Sequence, residues 1–203
     1  MKKILLLAAS IMLACSSLSA QQSSEFNYSG AARPDFNEIS LSYGYFTLNH
    51  LANSFGGILG AVIVAPLSDE TFSNCNSTGF IGLEYMRYLN SGRFAFGGLI
   101  GYEGIESSFK NKKTEDIRKV GETLITVMPT AKVMWFNRAH VGMYSRAGVG
   151  VSVALVPDKA ANCSLALQVS PVGVDFGGKA VRGFVEAGFG TQGVISAGIK
   201  TCF

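Results

Sequence analysis

The sequence predicts an all-β protein, an eight-stranded antiparallel β-barrel whose strands span a membrane. The chain is 48% hydrophobic and has a mean hydropathy of +0.28. Yet its longest apolar run after the leader, from Phe55 to Leu67, is shorter than the roughly 20 residues that a spanning helix needs. Its 24 glycines favour strands over helices. Eight segments also alternate apolar residues with polar or small ones at a period of two, which is typical of strands.

The start of the chain has the order of a secretory signal peptide. Positive charge comes first, an apolar stretch runs to Cys15, and small residues follow up to Ala20. We therefore expect export and cleavage after Ala20; an alternative is a lipoprotein signal in which Cys15 is acylated. The predicted organisation is a signal peptide over 1–20, a short periplasmic segment over 21–37 and a barrel domain over 38–203.

Periodicity and turn residues give the positions of the strands. They are predicted at 38–48, 78–89, 93–105, 122–136, 139–154, 164–176, 180–190 and 193–203. Most are longer than the five or six residues usual in soluble sheets, and long enough for a tilted strand that crosses a bilayer. Short turns at 90–92, 137–138 and 177–179 alternate with connections at 49–77, 106–121, 155–163 and 191–192. Short turns on one rim and mostly longer loops on the other are typical of outer-membrane barrels.

Two regions depart from this regular pattern. The long first extracellular loop is apolar, and Leu51, Phe55, Leu59 and Val62 recur at helical intervals, which predicts a short helix there. The alternative for this loop is an extended hairpin of the first two strands. Pro129 and Pro171 lie inside predicted strands, where proline cannot donate to the ladder, so we expect a β-bulge at each.

Two segments resemble a known family. Gly82-Leu-Glu-Tyr-Met-Arg-Tyr-Leu89 is similar to the second-strand motif of small, eight-stranded bacterial outer-membrane β-barrel domains. So is Glu186-Ala-Gly-Phe-Gly-Thr-Gln-Gly193, followed by an alternating strand that ends on Phe203. The resemblance implies the cell outer membrane of a Gram-negative bacterium, with its lipids and the barrel insertion machinery as partners. It also implies that Phe203 is an assembly signal for that machinery. It implies no single activity, because such folds serve many functions.

A cluster of opposite charges is predicted inside the barrel. The inward phase places four charged residues near mid-depth: Glu84, Lys132, Arg146 and Glu186. Glu103 and Lys200 share this phase. An eight-stranded barrel is just wide enough for side chains to fill, and buried charges have to be paired. The cluster is therefore interpreted as a polar filling of the lumen; the alternative is a gated, narrow pathway.

These observations predict a structural or surface-interaction protein rather than an enzyme. The alternatives are a transporter of small or apolar molecules, through a narrow pore or along a lateral path, and a lipid-modifying enzyme that uses His50 with Ser54. No cofactor and no metal site is predicted, because the cysteines lack metal-ligand spacing. The formal net charge is +3, and it falls to +1 without Lys2 and Lys3 of the leader. So small a charge indicates no basic surface, and no nucleic-acid partner is expected.

The cysteines allow one disulfide in an oxidising compartment. Cys75 lies late in the first loop and Cys163 at the end of the third, so both are expected at the same rim. The sequence leaves two alternatives open: a bond between Cys75 and Cys163, or free cysteines that pack as small apolar residues.

Overall fold

Eight antiparallel strands form one closed barrel in the computed structural model of the chain. The structure describes residues 36–52, 54, 70–89, 92–111, 117–138, 140–157, 160–178 and 180–203. The strands are β1 (Asn37–Tyr45), β2 (Glu70–Tyr88), β3 (Phe94–Asn111), β4 (Ile117–Asn137), β5 (Val141–Leu155), β6 (Asn162–Gly177), β7 (Val181–Gly190) and β8 (Ile195–Cys202). Each strand pairs with its neighbours in sequence, and β1 pairs with β8 to close the ring. The predicted all-β, eight-stranded antiparallel barrel is thus confirmed.

The two rims of the barrel differ in height. The short-turn rim carries the connections 89–93, 138–140 and 178–180. At the opposite rim, the pairing of β1 with β2 ends at Gly44 and Phe80, and the pairing of β4 with β5 ends at Thr123 and Leu155. The strands β2, β3 and β4 continue past this level and remain paired with each other. They form a projecting sheet, made of residues 70–79, 104–111 and 117–122.

The projecting sheet corrects the prediction that 106–121 is a long loop, because most of that segment is strand. The first connection is shorter than predicted as well, since β2 begins at Glu70. Beyond Ile105 and Cys75 the sheet carries polar residues on both of its faces, such as the adjacent Ser107 and Ser108 of β3. The alternation of apolar and polar side chains is lost there, although the backbone stays extended.

The chain turns sharply after β1. Phe46 adopts a φ of 54°, in the left-handed region that non-glycine residues rarely enter, and this ends the strand earlier than the predicted 38–48. Residues 48–52 are helical, with the amide of Leu51 donating to the carbonyl of Thr47 at 2.9 Å. The other positions of the predicted helix, Phe55, Leu59 and Val62, lie outside the described residues. No helix within the described ranges is long and apolar enough to cross a membrane.

The two strand prolines behave differently. At Pro171 the register shifts on both sides of β6, so the predicted bulge is present. At Pro129 the prediction of a bulge is wrong: β4 keeps an unbroken register with β3. Its pairing with β5 passes from Val127 to Thr130 without a shift. The missing amide of Pro129 is accommodated by a gap in the ladder rather than by an extra residue.

An unpredicted bulge lies elsewhere in β4. Met134 and Phe136 pair with the consecutive residues Tyr144 and Met143, so that Trp135 is the extra residue. Trp135 and Phe136 are consequently both exposed on the outer surface, while Met134 points inward.

Within the part of the chain that the structure describes, three apolar clusters stack along the barrel interior. Nearest the short-turn rim lie Phe36, Met86, Tyr88, Ala95, Met134 and Tyr144, with Cys202 packed against them. The second cluster is Phe80, Leu99 and Met128. The third, toward the projecting sheet, is Ile105, Leu124 and Ala154, with Cys75 at its side. Buried polar and charged side chains fill the space between these clusters.

The connection between β7 and β8 folds into the barrel. Thr191, Gln192 and Gly193 are all buried. The carbonyl of Gln192 approaches Gly44 of β1 so closely that a Cβ at Gly44 would lie 1.7 Å from that oxygen. Gly44 therefore leaves the space in which this connection docks.

Replacing Gly44 with alanine should destabilise the barrel. The added methyl group forces Gln192 or β1 to move, and overpacking of this kind typically costs about 1–3 kcal/mol. Chemical unfolding of the refolded protein measures the effect. Gly121→Ala is the matched control, because a Cβ at Gly121 meets nothing within 4 Å; equal stability of the two variants would contradict the close approach.

Candidate functional site

Opposite charges line the barrel interior in two clusters. Among the described residues, nine charged side chains are buried: Glu38, Glu84, Glu103, Asp175, Glu186, Lys132, Arg146, Arg182 and Lys200. Their positions follow the inward phase of the strands, where the outward neighbours are apolar. Taking charges out of water is costly unless they are paired and hydrogen-bonded, so their contacts decide what the interior can do.

The first group, the Lys200 cluster, lies beside the short-turn rim and forms a continuous chain of ion pairs. Glu38 accepts from Lys132 at 2.5 Å through one oxygen and from Lys200 at 2.9 Å through the other. Lys200 also contacts Asp175 at 2.8 Å, and Asp175 contacts Arg182 at 2.6 Å. These five side chains come from β1, β4, β6, β7 and β8, so the cluster ties together strands that are not neighbours in the sheet.

Two further contacts complete the Lys200 cluster. The hydroxyl of Tyr88 donates to Glu38 at 2.9 Å, and the ring of Phe36 stacks on Tyr88 with centroids 4.0 Å apart. Arg182 donates to Asn137 at 3.0 Å and to the carbonyl of Arg138 at 2.8 Å. The hydrogen bond from Arg182 to the carbonyl of Arg138 fixes the tight turn between β4 and β5. The cluster therefore stabilises the rim as well as the interior.

The second group, the Arg146 cluster, lies deeper in the barrel. Arg146 contacts Glu84 at 2.9 Å and Glu186 at 2.8 Å, using different nitrogens of the guanidinium group. The same guanidinium donates to the side-chain oxygen of Gln192, whose amide group donates to Ser42 at 2.8 Å. A planar guanidinium that serves several acceptors is suited to bridging facing strands.

Tyr144 joins the two clusters. Its hydroxyl donates to Glu186 at 2.7 Å, while its ring lies beneath the ammonium groups of Lys132 and Lys200, at 4.7 and 5.2 Å from the centroid. These distances are within the range of cation–π attraction. One side chain thus gives the interior a continuous polar network from the short-turn rim to Gln192.

A third polar group lies toward the projecting sheet. Glu103 is buried and accepts hydrogen bonds from Thr47 at 2.5 Å, from Ser77 at 2.8 Å and from Asn49 at 3.2 Å. All three donors are neutral. They belong to β2 and to the first residues after β1, so Glu103 anchors the start of the first connection inside the barrel mouth.

The four predicted lumen residues are all buried, but they do not form one cluster. Glu84, Arg146 and Glu186 contact each other as one group. Lys132 pairs instead with Glu38, which was not among the predicted site residues. Asp175 and Arg182 were missed as well: Pro171 made the phase of β6 uncertain, whereas Arg182 shares the predicted inward phase of Glu186 in β7 and could have been found from it. The polar alternation of Glu38, Ser40 and Ser42 in β1 was a usable signal.

Cys75 and Cys163 are both free cysteines in the structure, as in the alternative without a bond. Cys75 packs against the inward cluster of Ile105, whereas Cys163 is exposed and shares the outward phase of Leu165. A disulfide requires Cβ atoms about 4 Å apart and directed toward each other. Cys75 and Cys163 lie on opposite faces of the barrel wall, so their side chains are not directed toward each other.

His50 is used in contacts with the barrel backbone. Its amide donates to the hydroxyl of Thr47 at 3.0 Å, and its ring nitrogen Nε2 lies 3.4 Å from the carbonyl oxygen of Cys75. These contacts hold the first connection against β2. Within the described ranges, no group of three or more histidine, cysteine or acidic side chains is arranged to hold a metal ion.

Breaking the Arg146 cluster should reveal strong coupling. Glu84→Ala leaves Arg146 short of a buried partner and should cost about 3–5 kcal/mol of unfolding free energy. The double variant with Arg146→Met should cost less than the sum of the two single changes, because residues in contact couple by about 0.5–3 kcal/mol. A double-mutant cycle on the refolded protein measures this.

The control for that cycle is an exposed ion pair. Lys119 and Glu106 lie 2.9 Å apart, with side chains 63% and 49% exposed. Such pairs typically contribute about 0–1 kcal/mol, so their cycle should show little coupling. Strict additivity at Glu84 and Arg146 would contradict the interior contacts.

Comparison with known proteins assigns no family. No protein-family model matches the chain, and no curated protein matches it significantly. The function is therefore inferred from the barrel fold and from the side chains that line its interior and its outer wall.

Proposed function

We propose that this chain is an integral outer-membrane barrel of a Gram-negative cell, exported by a cleaved signal peptide, with a structural or surface-interaction role. The observation that carries the proposal is a continuous apolar belt on the outer surface. Every strand contributes to it, and the exposed fractions of the following side chains lie between 44% and 59%: Tyr43, Leu83, Ile100, Val127, Val151, Leu167, Val185 and Ile199.

A water-soluble barrel would carry mainly polar side chains on its outer surface, whereas this belt is apolar. Soluble monomers rarely expose contiguous apolar patches of more than a few hundred Å². Here apolar side chains encircle the molecule, while nine charged side chains are buried within it. A lipid bilayer explains both features, because it solvates the belt and because a closed barrel leaves no unpaired strand edge within the hydrocarbon.

Aromatic residues border the belt at two levels. Phe94, Trp135, Phe176 and Phe203 are exposed near the short-turn rim, and Tyr45, Tyr102 and Phe189 near the other. Two such girdles, at the levels of the two lipid headgroup regions, are typical of membrane barrels. The backbone of Phe203 pairs with Asn37, at 2.8 and 2.9 Å, so Phe203 belongs to both the girdle and the β1–β8 seam.

The interior supports a filled barrel rather than an open pore. Tyr88, Tyr144, Gln168 and Gln192 are fully buried within it, and both charge clusters connect facing strands. The projecting sheet supports the surface-interaction role, because within the described residues β1 does not pair with β2 above Phe80 and β5 does not pair with β4 above Thr123. Strand edges that no other strand pairs with are suited to protein contacts.

A charge in the middle of the belt tests the membrane proposal. Val149 is 52% exposed and pairs with Leu167. In phospholipid vesicles, Val149→Arg should lower the free energy of unfolding by about 2–4 kcal/mol. The matched control is Ile117→Arg on the projecting sheet, where Ile117 is 61% exposed; this change should stay within about 0.5 kcal/mol. An unchanged stability of Val149→Arg would mean that the belt faces water.

Planar bilayers test the filled interior. The wild-type protein should insert without stepwise conductance, because the charge clusters and Gln192 occupy the barrel axis. A known open porin in the same bilayer serves as the positive control. Regular conductance steps from the wild-type protein would favour a transporter and would contradict the filled lumen.

A further inference from the structure

The projecting sheet has two outer edges, one on β2 and one on β4, and they differ. The first connection contacts β2, because the ring nitrogen Nε2 of His50 lies 3.4 Å from the carbonyl oxygen of Cys75. On β4, the pairing with β5 ends at Thr123 and Leu155. Within the described ranges, no strand pairs with residues 117–122 on that side, so the β4 edge is the one that is open to a partner.

The backbone groups of β4 face its two neighbours alternately. The amide of Met134 donates to the carbonyl of Arg93 at 2.8 Å, so Met134 faces β3. The register with β3 is unbroken from there to Ile117, and every second residue counted from Met134 therefore faces β3, while the residues between them face β5. Pro129 is one of those between, which agrees with a gap in the ladder with β5 alone.

The same count identifies the backbone groups of the open edge. Ile117, Lys119 and Gly121 direct their amides and carbonyls away from β3, to the side on which β5 has ended. Each of these residues offers one donor and one acceptor. An extended chain that is added in line with β5 would satisfy them by continuing the ladder, which is the arrangement of strand addition to a sheet edge.

A groove of about 790 Å³ lies beside this edge. Its lining consists of residues 76–78, 104–106, 121–123 and 155–157. β5 leaves the sheet after Leu155, and Pro157 has no amide with which to continue the ladder. The groove therefore provides room next to β4 at the point where an added strand would begin.

The charged side chains among the lining residues are two carboxylates, Glu106 and Glu122. Cross-strand partners share a face of the sheet. Glu106 is exposed and pairs with Gly121 on the outer face, whereas Glu122 pairs with Ile105, which is buried on the inner face. Glu106 contacts Lys119 through one oxygen, Oε1, at 2.9 Å. A carboxylate accepts several hydrogen bonds, so this contact leaves room for a second donor.

An added strand would bring one side chain to each carboxylate. Successive side chains of a strand lie on opposite faces. The side chain opposite Gly121 lies on the outer face and can reach Glu106 across the glycine, which has no side chain in the way. The next one, opposite Glu122, lies on the inner face beside that carboxylate. Two adjacent basic residues therefore match the charges on the two faces of this edge.

We propose that the β4 edge binds an extended segment of a partner protein, which adds to the sheet in line with β5 and carries two adjacent arginine or lysine residues. The backbone ladder supplies affinity, and Glu106 and Glu122 select the basic pair. This inference rests on the proposed surface-interaction role and adds the edge that is used and the chemistry of the partner.

Fluorescent peptides test the site on the full chain in lipid nanodiscs, which leave both rims accessible. One short peptide alternates threonine and valine around a central Arg-Lys pair, and a second has Gln-Gln in place of this pair. Fluorescence anisotropy should show about five-fold tighter binding of the Arg-Lys peptide, because opposite charges on neighbouring strands attract.

Two methylated forms of the Arg-Lys peptide test whether it binds as a strand. Each carries N-methyl groups on one of the two alternate sets of amides. Only the set that faces β4 donates to the ladder, so one form should lose binding and the other should keep it. Equal binding of both forms would show that the peptide is held by charge alone and would contradict strand addition.

Variants of the edge complete the experiment. Gly121→Pro removes an amide that faces the partner and leaves the ladder with β3 intact, so it should weaken both peptides about five-fold or more. Gly121→Ala is the matched control: it keeps the amide, and its Cβ meets nothing within 4 Å. Its affinities should stay within about two-fold of the wild type. Glu106→Gln combined with Glu122→Gln should make the two peptides bind equally. Heat-modifiable migration in gels confirms that each variant is folded.

The outcomes separate this inference from the proposed function. Equal binding of the Arg-Lys and Gln-Gln peptides to the wild type, or undiminished binding by Gly121→Pro, would overturn the edge site and leave the membrane barrel intact. Dimers of the wild-type chain in detergent that Gly121→Pro abolishes would assign the edge to a second copy and overturn the basic segment. Failure of the wild-type chain to enter bilayers would overturn the proposed function as well.

Discussion

Closure of the sheet between β1 and β8 is the constraint on which the rest of the structure depends. Without this seam, each of the two strands would present one edge with unpaired amides and carbonyls, because β1 would pair only with β2 and β8 only with β7. The seam is continuous from Glu38 and Cys202 to Tyr45 and Ile195. Closing the ring also creates an interior, and only a closed interior can bring Glu38 of β1 into contact with Lys132 on β4 and Lys200 on β8 at once.

The closed ring also explains why charged side chains lie inside the barrel and apolar side chains lie on its outer wall, the reverse of a water-soluble protein. Side chains alternate along every strand, so each strand supplies one set to the interior and one to the outer wall. The interior of an eight-stranded barrel has room for few side chains. The polar ones among them therefore have to form hydrogen bonds and ion pairs with each other. Tyr144 shows how this is achieved, because it supplies a hydroxyl to one charge cluster and an aromatic face to the other. The polar network can therefore be continuous while the outer wall remains apolar.

Much of the architecture could be predicted from the sequence, because alternation is a local signal. It identified all eight strands and the inward phase of residues such as Glu84, Arg146 and Glu186. The signal failed where the local rule changes: in the projecting sheet, where both faces are polar, and at Pro171, where a bulge shifts the phase. Ion-pair partners were harder still. Lys132 and Glu38 are far apart in sequence, and their contact depends on the tilt of strands around the barrel, which no local pattern encodes.

The docked connection between β7 and β8 has a consequence for the alignment of the seam. A slip of β8 against β1 by one residue would exchange the two faces of the strand, but a slip by two residues would preserve them and is harder to exclude by polarity alone. Gly44 excludes it by shape. The carbonyl of Gln192 fits only against a residue without a Cβ, and Ser42, the same-face neighbour of Gly44 in β1, has one. Because the side chain of Gln192 also binds Ser42 and Arg146, this turn accepts a single alignment. The hairpin of β7 and β8 is therefore compatible with the correct register of β8 against β1, but not with a register shifted by two residues.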